Sequence, residues 1–445
     1  MSRNIRITFA FDVLSPYSFL AHQTLSRYEK VWGVKIEYLP VSISDLFRIS
    51  KNKPPAQTCA NKRNYLMNDL AHAGDFHDCA FKLPSNFPTN TSLSLTALNL
   101  IKHRQPQAFD ASLKNIWEAY FIRDQDISKA SVLQGLLQEV RVDTADEILK
   151  DSSLEIHKAE IMKNTEMVSQ KGAFGLPFFI TSINGKEKGC FFGSDRITLM
   201  AYELGLPYSG PVPGRKIQSS NSKGSVIFAF DILSPYSYFA YKILRRQNWG
   251  IDIDYLPVSL VKIMKTSGNT GPTFGSENKK KYTYADLKYL PKLYDIPFKM
   301  PSKFPFDTSL LQTLLAIIKE RSPSDFLPAL DLLWEATFFQ PEISNPEVIK
   351  KVFVPLTSNG KLKALSEWID EASNQKSVEK YIVESTMKLV KEGAFGLPYF
   401  KVQKDSGSTP RYFFGSDRLE NIAHYLQVPY ESGIVSRSHD NSSKL

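Results

Sequence analysis

The first apolar run, I-R-I-T-F-A-F, predicts a buried strand over about 5–12. A tight turn follows, then a helix over about 16–30. Pro16 suits its first turn, where a backbone N–H has no intrahelical partner anyway. A second strand is predicted at about 34–39, and a strand-helix-strand unit implies a parallel pair. From 43 to 170 the apolar spacing is helical, with breaks at Pro54-Pro55, Pro84, Pro88 and Pro106. L-P-F-F-I-T-S-I and G-C-F-F then read as two more strands. Gly193-Ser194-Asp195 reads as a turn and helix cap before a last helix, I-T-L-M-A-Y-E-L-G.

The same order returns from about 225 to 430. F-A-F-D-V-L-S-P-Y-S at 9–18 returns as F-A-F-D-I-L-S-P-Y-S at 228–237, and E-Y-L-P-V-S at 37–42 as D-Y-L-P-V-S at 254–259. F-K-L-P-S-N-F-P, W-E-A at Trp117, G-A-F-G-L-P and F-F-G-S-D-R recur as well, the second W-E-A at Trp334. This is near-full-length duplication of a unit large enough to fold as a domain. The boundaries read as a first domain at 1–209, a Gly/Pro/Ser/Lys-rich linker at 210–224, a second domain at 225–433 and a polar tail at 434–445. The order βαβ, helical block, ββα predicts an α/β fold: two tandem thioredoxin-like domains, each with a large all-helical insertion.

Composition narrows the chemistry. The chain is 42% hydrophobic and 23% charged, an ordinary soluble balance. No apolar run is long enough for a membrane span, and the N-terminus lacks a signal-peptide core. The net charge of +9 is spread over scattered lysines. It suggests solvated faces, or a mild pull on anionic substrates, rather than nucleic-acid binding. Cys59, Cys79 and Cys190 all lie in the first half and form no C-x-x-C, so neither a disulfide framework nor a metal site is expected. No histidine of one half matches a histidine of the other. Chemistry common to both halves therefore uses neither thiol nor imidazole.

Thiol-disulfide enzymes place C-x-x-C at such a strand-to-helix elbow. Here serines stand in both places, Ser15 and Ser18, then Ser234 and Ser237. The prolines of G-A-F-G-L-P, Pro177 and Pro398, are expected to follow cis bonds. Leu176 and Leu397 would then offer backbone groups to an extended peptide. G-S-D-R allows two readings: Ser and Asp cap the helix, or the helix N-terminus receives a carboxylate while the Asp pairs with an ammonium.

With these motifs quoted, the chain resembles two fused kappa-class glutathione transferases. The resemblance rests on S-P-Y at 15–17 and 234–236, N-K-P-P at 52–55, G-A-F-G-L-P, and F-G-S-D-R, and it covers about 5–213 and 225–433. It implies that glutathione is a co-substrate with no other cofactor, and that Ser15 and Ser234 contact its sulfur beside Pro16, Tyr17, Pro235 and Tyr236. Asn52, Lys62, Asn269 and Lys279 would reach the glycine end, although the second copy reads N-T-G-P at 269–272. Leu176-Pro177 and Leu397-Pro398 would pair with the cysteinyl unit. Ser194-Asp195 and Ser416-Asp417 would hold the γ-glutamyl head.

A free thiol titrates near ~8.5. A hydrogen bond to a charged group is worth roughly 1.5–3 kcal/mol, and a helix N-terminus adds roughly 0.3–1 kcal/mol. Together they bring a thiol toward neutral pKa without a base, so serine acts as a donor to thiolate. Tyr17 and Tyr236 are the rival donors. The expected reaction is conjugation to a hydrophobic electrophile, as in detoxification, or peroxide reduction. The alternatives are glutathione-dependent isomerisation of the hydroxychromene-carboxylate type and non-catalytic glutathione binding. Ser443-Lys444-Leu445 reads as an address for the peroxisomal import receptor, with cytoplasm or mitochondrion as alternatives. The halves are expected to pair within one chain, with a homodimer as the alternative.

Overall fold

The computed structural model describes residues 3–215, 224–271, 274–339 and 342–434. The middle of the linker and the Ser443-Lys444-Leu445 signal lie outside the described residues.

Each half is built on a four-stranded sheet. In the first, β1 (Ile5–Phe11), β2 (Ile36–Pro40), β3 (Phe178–Ile183) and β4 (Lys186–Phe192) lie in the order β2-β1-β3-β4. In the second, β5 (Ser225–Phe230), β6 (Asp252–Pro257), β7 (Tyr399–Gln403) and β8 (Arg411–Phe414) repeat it as β6-β5-β7-β8. The strand-helix-strand unit gives the expected parallel pair, with Phe9 opposite Tyr38, and β3 closes antiparallel on the other side, with Phe9 opposite Phe179. These central strands are apolar on both faces because helices cover both.

Between β2 and β3 the chain is helical, as its periodicity predicts. Helices span Ile43–Ile49, Ala60–His77, Ser92–Arg104, Phe109–Phe121, Ala130–Glu139, Ala145–Ser152 and Glu155–Gln170. The two thioredoxin-like halves with helical insertions are therefore as expected. One difference lies in β4, which starts at Lys186 rather than at G-C-F-F. Asn184 and Gly185 both adopt positive φ (51° and 76°), the geometry of a tight hairpin turn, so pairing begins at once. The charges of Lys186-Glu187-Lys188 hid this from an apolar pattern. They suit an edge strand, where charge discourages pairing with other chains.

The halves pack on each other reciprocally. The Asn61 amide donates to the carbonyls of Val390 (2.8 Å) and Ala394 (2.9 Å). Asn278 does the same toward Ser169 (2.8 Å) and Ala173 (2.9 Å). Tyr65 Oη accepts from the Phe414 N–H at 3.1 Å, and Tyr282 Oη from Phe192 at 3.0 Å. Tyr65 also joins an apolar cluster with Ala229, Val258, Phe395 and Leu397.

Candidate active site

Ser15 ends β1's loop in extended geometry and caps the helix Pro16–Trp32, its Oγ accepting the Ser18 N–H at 3.2 Å. The same hydroxyl lies 3.4 Å from the Leu176 carbonyl oxygen, so the elbow and the Leu176-Pro177 loop face each other. Ser234 repeats both contacts, with Ser237 at 3.1 Å and Leu397 at 3.4 Å. Leu176-Pro177 and Leu397-Pro398 are cis, as expected. Each serine is 3% exposed. A hydroxyl held at a helix N-terminus and out of water makes a strong donor to an anion.

Asp12, which sequence reasoning passed over, fixes this elbow. Its buried carboxylate accepts from Leu14 N (2.9 Å), Ile43 N (2.9 Å) and Thr91 Oγ1 (2.8 Å). Burial pushes its pKa up to about 6, against the pull of those donors. Asp231 repeats the role with Leu233, Leu260 and Thr308. The signal was present: an acid follows the apolar run F-A-F in both copies.

The tyrosine rivals are otherwise engaged. Tyr17 Oη donates to Asp69 at 2.9 Å and Tyr236 Oη to Asp286 at 3.0 Å. Burial, then the adjacent carboxylate, drives both phenol pKa values well up, so neither offers charge at neutral pH. Pro16 and Pro235 are buried in the first helical turn. Asn52 and Asn269 brace the G-A-F-G-L-P loops, donating to Phe174 O and Phe395 O at 2.7 Å each.

The capping reading of G-S-D-R is not met at the N-cap positions. Ser194–Arg196 and Ser416–Arg418 form single 3-10 turns that begin after Gly193 and Gly415, and the helices beyond them have Arg196 and Arg418 as N-caps, which make no side-chain cap bond. Gly193 (φ 103°) and Gly415 (φ 113°) turn the chain so that the following Asp and Arg point to the boundary between halves. Such a φ is one that L side chains rarely adopt, which is why glycine stands there, and a Cβ on Gly193 would also crowd the Asp195 carboxylate.

At that boundary Arg196 forks Asp286 of the other half (Nε–Oδ1 2.8 Å, Nη2–Oδ2 3.0 Å) and also reaches Asp417 at 2.6 Å. Arg418 lies 3.4 Å from Asp195 and 3.8 Å from Asp69, and its buried Nε has no partner among the described residues. Asp195 and Asp417 thus share both guanidiniums, Arg196 at 3.6 Å and 2.6 Å and Arg418 at 3.4 Å and 3.8 Å. Burial, then the Asp417 charge, raises Asp195 to about 7. Burial also opposes the charge of Asp417, yet Arg418 and Arg196 hold it well below the usual carboxylate range. The cluster thus sets four carboxylates, Asp69, Asp195, Asp286 and Asp417, against two guanidiniums.

Asp69 and Asp286 were missed from sequence, and so were the clamps Asn61 and Asn278. They follow a common spacing: Asn61, Tyr65, Asp69 and Asn278, Tyr282, Asp286 stand at i, i+4, i+8 on one helix face. The lysine assignments shift for the same reason. Lys62 belongs to the first half by sequence, but its helix docks on the second half's G-A-F-G-L-P loop. Burial, then the charge of Lys279 from the other half, lowers Lys62 to about 8, and burial lowers Lys279 also. Among the described residues no His, Cys, Asp and Glu cluster suited to a metal occurs, and no helix is long and apolar enough to cross a membrane.

The family description "DSBA-like thioredoxin domain" matches residues 6–205 and again 225–427. The chain belongs to that family. Within it, kappa-class proteins are among the relatives. The chain is 30% identical to "Glutathione S-transferase kappa 1" of Homo sapiens over 213 residues, 46% of this chain and 92% of that protein. It is 29% identical to the Rattus norvegicus protein of the same name over 210 residues, with the same shares. A "2-hydroxychromene-2-carboxylate isomerase" of Sphingobium xenophagum is 26% identical over 197 residues, 44% of this chain and 95% of that protein. Such relatives match about half of this chain and nearly all of themselves, as a tandem of two such units requires.

Proposed function

We propose that the chain is a glutathione-dependent enzyme with one site per half, and that its reaction is transfer of glutathione to a hydrophobic electrophile. The observation that carries the reading is the buried, helix-capping serine facing the Leu-Pro loop in both halves, where thioredoxin-like enzymes of the redox type keep a thiol. The bound thiol of glutathione supplies the sulfur that the protein lacks. The serine hydroxyl turns from the Leu176 or Leu397 carbonyl to donate to the thiolate, and the helix N-terminus stabilises the same charge. The thiolate attacks the electrophile's carbon, a carbon–sulfur bond forms, and the leaving group departs with its electron pair. No step requires the serine to lose its proton.

The charge cluster at the boundary suits the ligand. Its excess of two carboxylates over guanidiniums suits the α-ammonium groups of two γ-glutamyl heads, one per half. The unpartnered Arg418 Nε suits an α-carboxylate. Ser194-Asp195 and Ser416-Asp417 keep their proposed place, now with Asp69 and Asp286 beside them. Lys62 and Lys279, both half-buried, suit the glycine carboxylates.

Isomerisation is the second reading, favoured by the similarity to the hydroxychromene-carboxylate isomerase. Turnover of an aromatic electrophile with glutathione, followed by mass spectrometry, separates them. A conjugate supports transfer, and a product of unchanged mass supports isomerisation. Binding by calorimetry with neither product would leave a glutathione-binding protein. Peroxisomal import through Ser443-Lys444-Leu445 belongs to the same proposal. Deleting those three residues is expected to move a tagged protein to the cytosol without changing its purified activity.

A further inference from the structure

In each half one buried carboxylate is tied to both walls of the elbow site. Asp12 and Asp231 stand shortly before the elbow serines and are 1% and 0% exposed. Asp12 Oδ1 accepts the Leu14 N–H at 2.9 Å, and its backbone carbonyl accepts the Ser15 N–H at 3.0 Å. Asp231 takes the Leu233 and Ser234 N–H groups in the same way, both at 2.9 Å. Side chain and main chain of one residue thus set the path by which the serine enters its helix.

The second oxygen reaches the facing wall. Asp12 Oδ2 accepts from Ile43 N at 2.9 Å, the first residue of the helix Ile43–Ile49. Just past that helix, Asn52 donates its backbone N–H to Phe47 O at 3.0 Å and its amide to Phe174 O at 2.7 Å. Phe174 belongs to the loop whose Leu176 carbonyl faces Ser15. In the second half Asp231 Oδ2 accepts from Leu260 N at 2.8 Å, the first residue of the helix Leu260–Ser267. Asn269, just past it, donates to Phe395 O at 2.7 Å, ahead of the Leu397 that faces Ser234. One oxygen holds the serine turn; the other, through a short helix and an asparagine, holds the Leu-Pro loop.

A third bond comes at the expense of a helix cap. Thr91 and Thr308 stand at the N-cap positions of Ser92–Arg104 and Ser309–Arg321, yet neither side chain makes a cap bond. Their hydroxyls donate to Asp12 at 2.8 Å and Asp231 at 2.7 Å instead. An ionised carboxylate is acceptor-only and satisfies all three donors. Each of its oxygens already faces a backbone N–H, so an amide in its place sets donor against donor in either orientation.

We propose that Asp12 and Asp231 are positioning residues for the thiolate: each carboxylate fixes the aim of the elbow serine against the facing Leu-Pro loop, and so sets how strongly that hydroxyl stabilises the sulfur of bound glutathione. The inference rests on the glutathione reading of the elbow. Position and charge predict opposite signs. A buried anion near the elbow disfavours a thiolate there, so removing its charge alone would lower the thiol pKa. Loosening the serine raises it.

The test is ultraviolet titration of the thiolate of glutathione bound to the full chain, with urea unfolding of the same proteins. In Asp12→Asn with Asp231→Asn we expect the bound thiol pKa to rise by about one unit, about a tenfold loss of thiolate below it. Thr91→Val with Thr308→Val removes one donor from each carboxylate but neither backbone bond. It is expected to lower the urea midpoint and to leave the thiol pKa at the wild-type value. A fall or no change in the Asn variant, or an equal rise in the Val variant, would overturn the proposal. Should the double Asn variant not fold, Asp12→Asn alone keeps the second half native. It is expected to split the titration into two steps of equal amplitude, one at the wild-type pKa, and a single unshifted step would overturn the role. Absence of thiolate in the wild-type complex would overturn the glutathione reading itself, and this role with it.

Discussion

Single side chains decide which hydroxyl serves the sulfur. Ser15 and Ser234 stand at helix N-termini with their hydroxyls toward the Leu-Pro loops, while Tyr17 and Tyr236 spend theirs on Asp69 and Asp286. We expect Ser15→Ala with Ser234→Ala to remove most conjugation, leave glutathione affinity within a few-fold, and raise the pKa of the bound thiol, read by ultraviolet absorbance of the thiolate. Tyr17→Phe with Tyr236→Phe is expected to keep most of the rate. The reverse pattern would transfer the role to tyrosine.

The raised Asp195 at the boundary between the halves gives a second residue-scale prediction. Asp195 is raised to about 7, above its value in the unfolded chain near ~3.9. Between those values the folded state holds a proton that the unfolded state has lost. Its contribution to stability is therefore full below about pH 4 and gone above about pH 7. Asn mimics the protonated acid at every pH, so Asp195→Asn should gain on the wild type in melting temperature from pH 5 to pH 8. A difference that stays flat across that window would show that Asp195 does not hold the proton.

At the scale of elements, the helices Ala60–His77 and Glu277–Tyr294 matter most. Each leaves its own half and lays an Asn-Tyr-Asp face on the other. Removing Asn61 or Asn278 leaves two carbonyls without their donor, at a cost of about 1–3 kcal/mol each. Asn61→Ala with Asn278→Ala should lower the urea midpoint by more than either change alone, because the two clamps brace one boundary from opposite ends. An unchanged midpoint would mean that water replaces both clamps.

For the whole molecule, reciprocal clamps and a common charge cluster place the two halves as partners within one thread. The linker then acts as a tether that raises the local concentration of one half near the other to about millimolar. Light scattering is expected to give a compact particle near the chain mass of 50.4 kDa. A particle of twice that mass would point to pairing between chains.

The sequence by itself determined a great deal at short range. The strands, the serine elbow and the Leu-Pro loop were legible in the residues F-A-F-D, S-P-Y and G-A-F-G-L-P, because turn chemistry and apolar spacing act over a few residues. The duplication made each reading twice testable within one chain. What the tertiary structure alone decided is where Asp195, Lys62 and Asp69 point. As residues of one half, Asp195 read as a cap or a partner for an ammonium and Lys62 as a local ligand, while Asp69 drew no reading. They became an interface because the helix carrying Asn61, Tyr65 and Asp69 docks on the other half. A repeat read in one dimension shows that both halves own such a helix. Only the packing of one half on the other, a matter of apolar area and buried charge summed over both, shows that each half lends its helix to its neighbour.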